Sequence, residues 1–177
     1  MSEYIVYACP RGVLGEQIER YFAASRTQYG LNAAHRYPPH CTLTGFFHDQ
    51  EDALGVYTQA LAEAQQLASA CRPARAIEIT DMQLGEQWHG LTLESAWLKG
   101  MIASFAQRAA SPTRRDALRL KDWLHLSLAY EFPAAQREPL ARLAQAHVDP
   151  AAQVAWELRL YERQPGDTWT CHSAWPL

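Results

Sequence analysis

His40-Cys41-Thr42-Leu43 and His125-Leu126-Ser127-Leu128 are the two stretches whose reading decides the fold. Each runs histidine, apolar, hydroxyl, apolar. On an extended strand, residues i and i+2 project from one face and i+1 and i+3 from the other. His40 and Thr42 therefore share a face, while Cys41 and Leu43 turn inward. His125 and Ser127 do the same, with Leu126 and Leu128 inward. The two copies fall at corresponding places in the two halves of the chain.

Working outward, Pro38-Pro39 forces extended backbone, and His40 to Phe47 reads as a strand. Before it, Tyr4 to Cys9 is a short strand ended by Pro10 and Gly12. Leu14, Ile18, Tyr21, Phe22 and Tyr29 recur at helical spacing, predicting a helix over 14–30. After it, Asp49 reads as the N-cap of a helix whose buried face is Leu54, Tyr57, Leu61, Ala64 and Leu67, stopped before Pro73. The second half repeats the alternation with an extra hairpin. A strand from Ala76 turns at Leu84-Gly85-Glu86-Gln87 and returns over 89–94. Ser95 caps a helix carrying Leu98, Met101, Ile102, Phe105 and Ala109. The strand Asp122 to Tyr130 follows, then a helix around 135–147 that tolerates Pro139 only in its first turn. Strands at 154–163 and 168–175 flank the turn signal Pro165-Gly166. No low-complexity linker divides the chain. The expectation is one α+β unit over 1–177: two similar lobes of antiparallel sheet, with outer helices, facing each other across a central cleft.

Composition narrows the functional classes. The 177 residues are 48% hydrophobic and 20% charged, which suits a packed core and an ordinary soluble surface. The formal net charge of −3 argues against bulk attraction to nucleic acid or anionic membrane, so a phosphate-bearing ligand would need a local site. No apolar run approaches the ~18 residues that span a bilayer. The opening stretch lacks the basic-then-apolar order of a secretory signal, and Cys9, Cys41, Cys71 and Cys171 are scattered without a C-x-x-C pair. They read as reduced structural thiols of a cytoplasmic monomer. Metal-ligand spacing is absent too, because His35 and His40 straddle the two prolines, so neither metal nor cofactor is expected.

Two lobes facing each other would bring two imidazoles and two hydroxyls together. With an ordinary pKa near 6.5, one imidazole can accept a proton while the other donates one to a leaving oxygen. Thr42 and Ser127 would hydrogen-bond the non-bridging phosphate oxygens, where negative charge develops. The repeated motif resembles the two-histidine (2H) phosphoesterase superfamily. Pro39-His40-Cys41-Thr42-Leu43 and His125-Leu126-Ser127-Leu128-Ala129-Tyr130 look most like its cyclic phosphodiesterase branch. That resemblance implies a metal-independent hydrolase in which His40 and His125 are catalytic. Its expected substrate is a 2′,3′-cyclic nucleotide or ADP-ribose 1″,2″-cyclic phosphate, and its role lies in RNA processing. The 2′-5′ RNA ligase-like branch usually carries Thr in the second motif with Arg three residues on. Here Ser127 and Tyr130 stand there, so a 2′-5′ oligonucleotide phosphodiesterase or ligase-like enzyme is the second reading. The third is a non-catalytic module that binds terminal RNA phosphates, disfavoured because Arg would serve a pure binder better than two titrating imidazoles.

Strand parity extends the substrate-binding set to Trp123, Lys121 and Arg119, which share the face of His125. Trp123 offers a ring to a nucleobase. Tyr130 has the opposite parity, and a bulge would be needed to turn it toward the phosphate position that the resemblance implies. Tyr7 and Tyr37 are weaker aromatic candidates. Arg108, Arg114, Arg115, Arg119 and Lys121 cluster ahead of the second motif, and the stretch Ser111 to Leu120 is expected to be a mobile lid. The remaining histidines, 35, 48, 89, 147 and 172, are expected to be structural.

Overall fold

The computed structural model describes residues 1–74 and 76–177. Its order is β1 (Ser2–Arg11), α1 (Val13–Tyr29), β2 (Cys41–Thr42), β3 (Phe47–Asp49), α2 (Leu54–Ser69), β4 (Glu78–Leu84), β5 (Trp88–Glu94), α3 (Ala96–Arg108), β6 (Leu124–Tyr130), α4 (Arg137–His147), β7 (Ala155–Gln164) and β8 (Thr168–Pro176). This is the expected α+β class. The strands form one antiparallel sheet in the order β4-β5-β6-β2-β1-β7-β8, with β3 on β1.

The two motif strands meet at a seam, where Cys41 of β2 pairs with Leu126 of β6. The sheet is amphipathic across its thickness. One face, including Val6, Ala8, Cys41, Leu43, Leu91, Leu126, Leu128, Leu158 and Leu160, is buried in one core with all four helices. Leu43, Leu126 and Leu128 are completely buried. Truncating such a leucine to alanine costs about 2–5 kcal/mol. On the other face, the second core cluster of buried residues is Ile5, Tyr7, Cys9 and Tyr161, with Phe46 and Trp169 packed on it. The helices thus lie outside, and the seam is left open on the opposite side.

Several local expectations are corrected. The single strand over 40–47 breaks into β2 and β3. Thr44 Oγ1, not a main-chain carbonyl, accepts the Val6 N–H, and the Gly45 N–H goes to the Arg119 carbonyl instead. Asp49 does not cap α2. It ends β3 as a fully buried carboxylate, and a 3-10 turn at Glu51–Ala53 leads into the helix. Leu67 lies outside the buried stripe of α2 at 55% exposure; the stripe is Tyr57, Ala60, Leu61 and Ala64. Ser95 does cap α3, accepting the Leu98 N–H at 2.9 Å, and Pro139 sits in the first turn of α4. All four cysteines are free thiols. No helix among the described residues is long and apolar enough to cross a membrane.

Candidate active site

The seam builds the site. With Cys41 opposite Leu126 in an antiparallel ladder, one step either way sets Thr42 beside His125 and His40 beside Ser127. Such cross-strand Cβ atoms lie about 4.5–5.5 Å apart. Each histidine therefore faces the other motif's hydroxyl. All four side chains line one cavity of about 350 Å³, together with Tyr7, Tyr37, Trp88, Arg119, Lys121, Trp123 and Tyr130. The volume falls in the usual range for small-molecule sites.

Both imidazoles are held the same way. His40 Nδ1 lies 2.7 Å from the Pro38 carbonyl and His125 Nδ1 lies 3.3 Å from the Trp123 carbonyl. A carbonyl only accepts, so each Nδ1 carries the proton and each Nε2 is left for the cavity. Rings brace them. Tyr7, itself buried, lies 3.9 Å from the His40 ring at 31°, and Trp123 stacks on His125 at 3.9 Å and 23°. The electrostatics differ between the two. Burial drives the His40 pKa down to about 4, against the raising effect of the Pro38 carbonyl, and the charge of His125 lowers it further. Burial also lowers His125, partly offset by the Trp123 carbonyl, with the Lys121 ammonium adding to the depression. His40 is the more strongly held in its neutral form.

Among the described residues no carboxylate lines the cavity, whereas Arg119 and Lys121 do. A chain of net charge −3 thus carries two cations side by side at this cavity. Main-chain pairing places both cations: Gly45 N–H to Arg119 C=O at 2.7 Å and Lys121 N–H to Leu43 C=O at 3.0 Å, with Leu120 bridging to Thr44. The Arg119 guanidinium lies across Gly45, where a Cβ would approach it to 3.1–3.3 Å. The same bonds overturn the mobile-lid expectation for Ser111 to Leu120. Thr113 bonds to Asp49 and to the Ser111 hydroxyl, Arg114 to the Ala109 and Asp116 carbonyls, and Asp116 to both His48 N–H and His48 Nδ1. The segment is fastened along its length, and Arg108, Arg114 and Arg115 are not among the residues lining the cavity.

Tyr130 does reach the cavity despite its parity. Gly90 pairs with Ser127 and His89 with Ala129, so Leu128 is an extra residue in β6, a bulge that turns Tyr130 to the side of Ser127. Trp123 is 54% exposed, so its ring is not part of the core. Sequence reasoning missed Trp88. Its indole Nε1–H donates to Ser127 Oγ at 2.9 Å, and its ring meets His125 edge-on at 5.6 Å. The available signal was Trp-x-Gly at the start of the strand that pairs with the second motif. Histidines 35, 48, 89 and 172 are bonded into the scaffold instead: His35 to Ser25, His48 to Asp116, His89 to Gly85 and His172 to Glu162. Among the described residues no three His, Cys, Asp or Glu side chains group to hold a metal ion.

No family model matches the chain. Over 92% of its length it is 28% identical to an ecdysteroid-phosphate phosphatase of Drosophila melanogaster, covering 26% of that protein. It is 29% identical to the Bombyx mori protein of the same name (92% of this chain, 25% of the other). The ubiquitin-associated and SH3 domain-containing protein B of Mus musculus is also 29% identical (91% and 25%). These matches relate the chain to proteins of a phosphatase or phosphoesterase type. The chain spans about a quarter of the length of these relatives.

Proposed function

We propose that the chain is a metal-independent phosphodiesterase of the two-histidine type. Its substrate is a 2′,3′-cyclic nucleotide, ADP-ribose 1″,2″-cyclic phosphate, or a cyclic phosphate at an RNA end. The observation that supports this reading is the seam: Cys41 pairs with Leu126, and the two imidazoles, each bonded at Nδ1 to a main-chain carbonyl, line one cavity with Thr42, Ser127, Arg119 and Lys121. His40, held neutral, takes a proton from water as the water oxygen attacks phosphorus. The bond from phosphorus to the ribose oxygen breaks, and that oxygen takes the proton from His125. Thr42 and Ser127 donate to the non-bridging oxygens, while Arg119 and Lys121 offset their charge. Trp123 and Tyr130 flank the nucleoside side of the cavity. A 2′-5′ oligonucleotide would use the same groups, since only the leaving oxygen differs.

The relatives named ecdysteroid-phosphate phosphatases favour a second reading, hydrolysis of a phosphomonoester. That name describes proteins about four times as long, so the activity it denotes need not reside in the matched quarter. A third reading is a module that binds terminal RNA phosphates without turning them over. A chromatographic product assay separates the three, using 2′,3′-cyclic nucleotides, ADP-ribose 1″,2″-cyclic phosphate, a 2′-5′ dinucleotide and a steroid phosphate monoester, each with and without EDTA. Turnover of a cyclic phosphate that survives EDTA supports the proposal. Turnover of the monoester alone, or activity lost to EDTA and restored by a divalent cation, overturns it.

A further inference from the structure

Ser127 is a hydroxyl with one hydrogen and two lone pairs, free in principle to point its hydrogen at any neighbouring acceptor. Trp88 removes that freedom. An indole N–H is a donor only, and at 2.9 Å it occupies a lone pair of Ser127 Oγ. The hydroxyl hydrogen cannot then point back at the indole, and it is left for an acceptor in the cavity. Donation into the oxygen also polarises the O–H bond, so a hydrogen bond from it to an anion is strengthened.

The sheet is shaped around this contact. Trp88 is two residues before Gly90, and Gly90 is the partner of Ser127. Gly90 has no room for a side chain: a Cβ there would run into the Trp88 ring and the Leu126 carbonyl. The ring thus lies over Gly90 in the space a side chain would need, and its N–H reaches the hydroxyl across the ladder. It also meets the rings of Trp123 at 5.2 Å and His125 at 5.6 Å, which brace it from the side. Thr42, the matching hydroxyl of the first motif, has no indole donor among the described residues. The two hydroxyls are therefore unequal, and the one oriented in advance lies beside His40 across the seam.

We infer that Trp88 is a positioning residue that, through its indole N–H, fixes the Ser127 hydroxyl as a hydrogen-bond donor to the substrate's non-bridging phosphate oxygen. The inference rests on the phosphodiester reading for its role in turnover, but the orientation can be measured on binding alone.

The experiment is a double-mutant cycle of Trp88→Phe and Ser127→Ala, in the whole chain. It is read both by the dissociation constant for inorganic phosphate and by kcat/KM on a 2′,3′-cyclic nucleotide. Trp88→Phe keeps a ring over Gly90 and removes only the N–H. Loss of one neutral hydrogen bond predicts about a 3–10-fold weakening, and the same substitution should have no further effect in the Ser127→Ala background. A packing role for Trp88 would persist in that background, so additive effects overturn the inference, as does a Trp88→Phe variant equal to wild type. A measurement independent of folding at position 88 is the indole N–H resonance of Trp88. Ser127→Ala should shift it upfield and speed its exchange with solvent, and an unchanged resonance overturns the contact. If wild type binds phosphate but turns over no cyclic nucleotide, the functional reading fails while the binding cycle still decides the role of Trp88. If wild type does not bind phosphate, both fail.

Discussion

A histidine in water titrates near pH 6.5, where it is neither a committed base nor a committed acid. The cavity moves both imidazoles to the acid side, His40 to about 4 by burial and His125 in the same direction, more weakly. On the proposed mechanism, turnover by the free protein needs His40 neutral and His125 charged. The first condition fails as pH falls toward 4 and the second fails as pH rises through the lowered His125 pKa. The kcat/KM profile should therefore be a bell centred below pH 6.5. A bound phosphate anion favours both charged forms, so the kcat profile should lie at higher pH than the kcat/KM profile. A kcat/KM profile flat from pH 5 to 8 would contradict the assignment. The same shifts affect folding. A histidine whose folded pKa lies below its unfolded value binds fewer protons in the fold, so stability is lost as pH drops from 6.5 toward 4. Melting temperature should fall across that window, and less steeply in His40→Gln. At this scale much was legible: parity alone put His40 on one face with Thr42 and His125 on one face with Ser127, and their convergence rested on the expectation that the two halves face each other. The Nδ1 bonds to the Pro38 and Trp123 carbonyls were not legible, because they depend on how the backbone bends before each motif.

Between elements, the least expected feature is the fastening of the segment before β6. Asp49 sits at its centre, fully buried, accepting from Tyr57 Oη at 2.5 Å, Thr113 Oγ1 at 2.6 Å and Gln50 N–H at 2.8 Å. Burial would raise its carboxyl, but the donors, Ser111 among them, outweigh it and take the pKa down to about 2. A depressed carboxyl stabilises above its unfolded pKa near 3.8 and loses that contribution as pH falls toward 2. Asp49→Ala should cost about 1–3 kcal/mol in urea unfolding at pH 7, because it leaves the buried Tyr57 hydroxyl unpaired. It should also increase proteolysis between residues 109 and 120. A loss below about 0.5 kcal/mol would mean that the segment is held by other means. The stretch Ser111 to Leu120 read as a mobile lid in sequence, because the partners that fasten it, His48 and Asp49, lie more than sixty positions away. The bulge at Leu128 was legible as a requirement of Tyr130, but its place was not, since it is set by Gly90 on a different strand. The broken strand at Thr44 was hidden for a similar reason: a side-chain hydroxyl replaces a ladder bond there.

For the whole molecule, charge is segregated. The chain carries −3 overall, yet among the described residues its cavity is lined by Arg119 and Lys121 and by no carboxylate. Substrate capture should weaken as salt rises, since screening at 0.15 M acts over about 8 Å. Arg119→Ala should raise KM with a smaller change in kcat, and a KM independent of both salt and Arg119 would show that the cations are incidental. In the single sheet the two motif strands lie side by side, β2 against β6, joined at the residue pair Cys41 and Leu126. The central claim is that the two histidines brought together there form one acid–base pair. The most direct measurement is turnover of a 2′,3′-cyclic nucleotide by His40→Ala, His125→Ala and the double variant, in EDTA, with melting temperatures recorded alongside. Each single variant should lose about 10²–10⁴-fold in turnover while remaining folded, and the double variant should be little worse than the poorer single, because members of one catalytic unit are not additive. Near-normal turnover in either single variant would contradict the account.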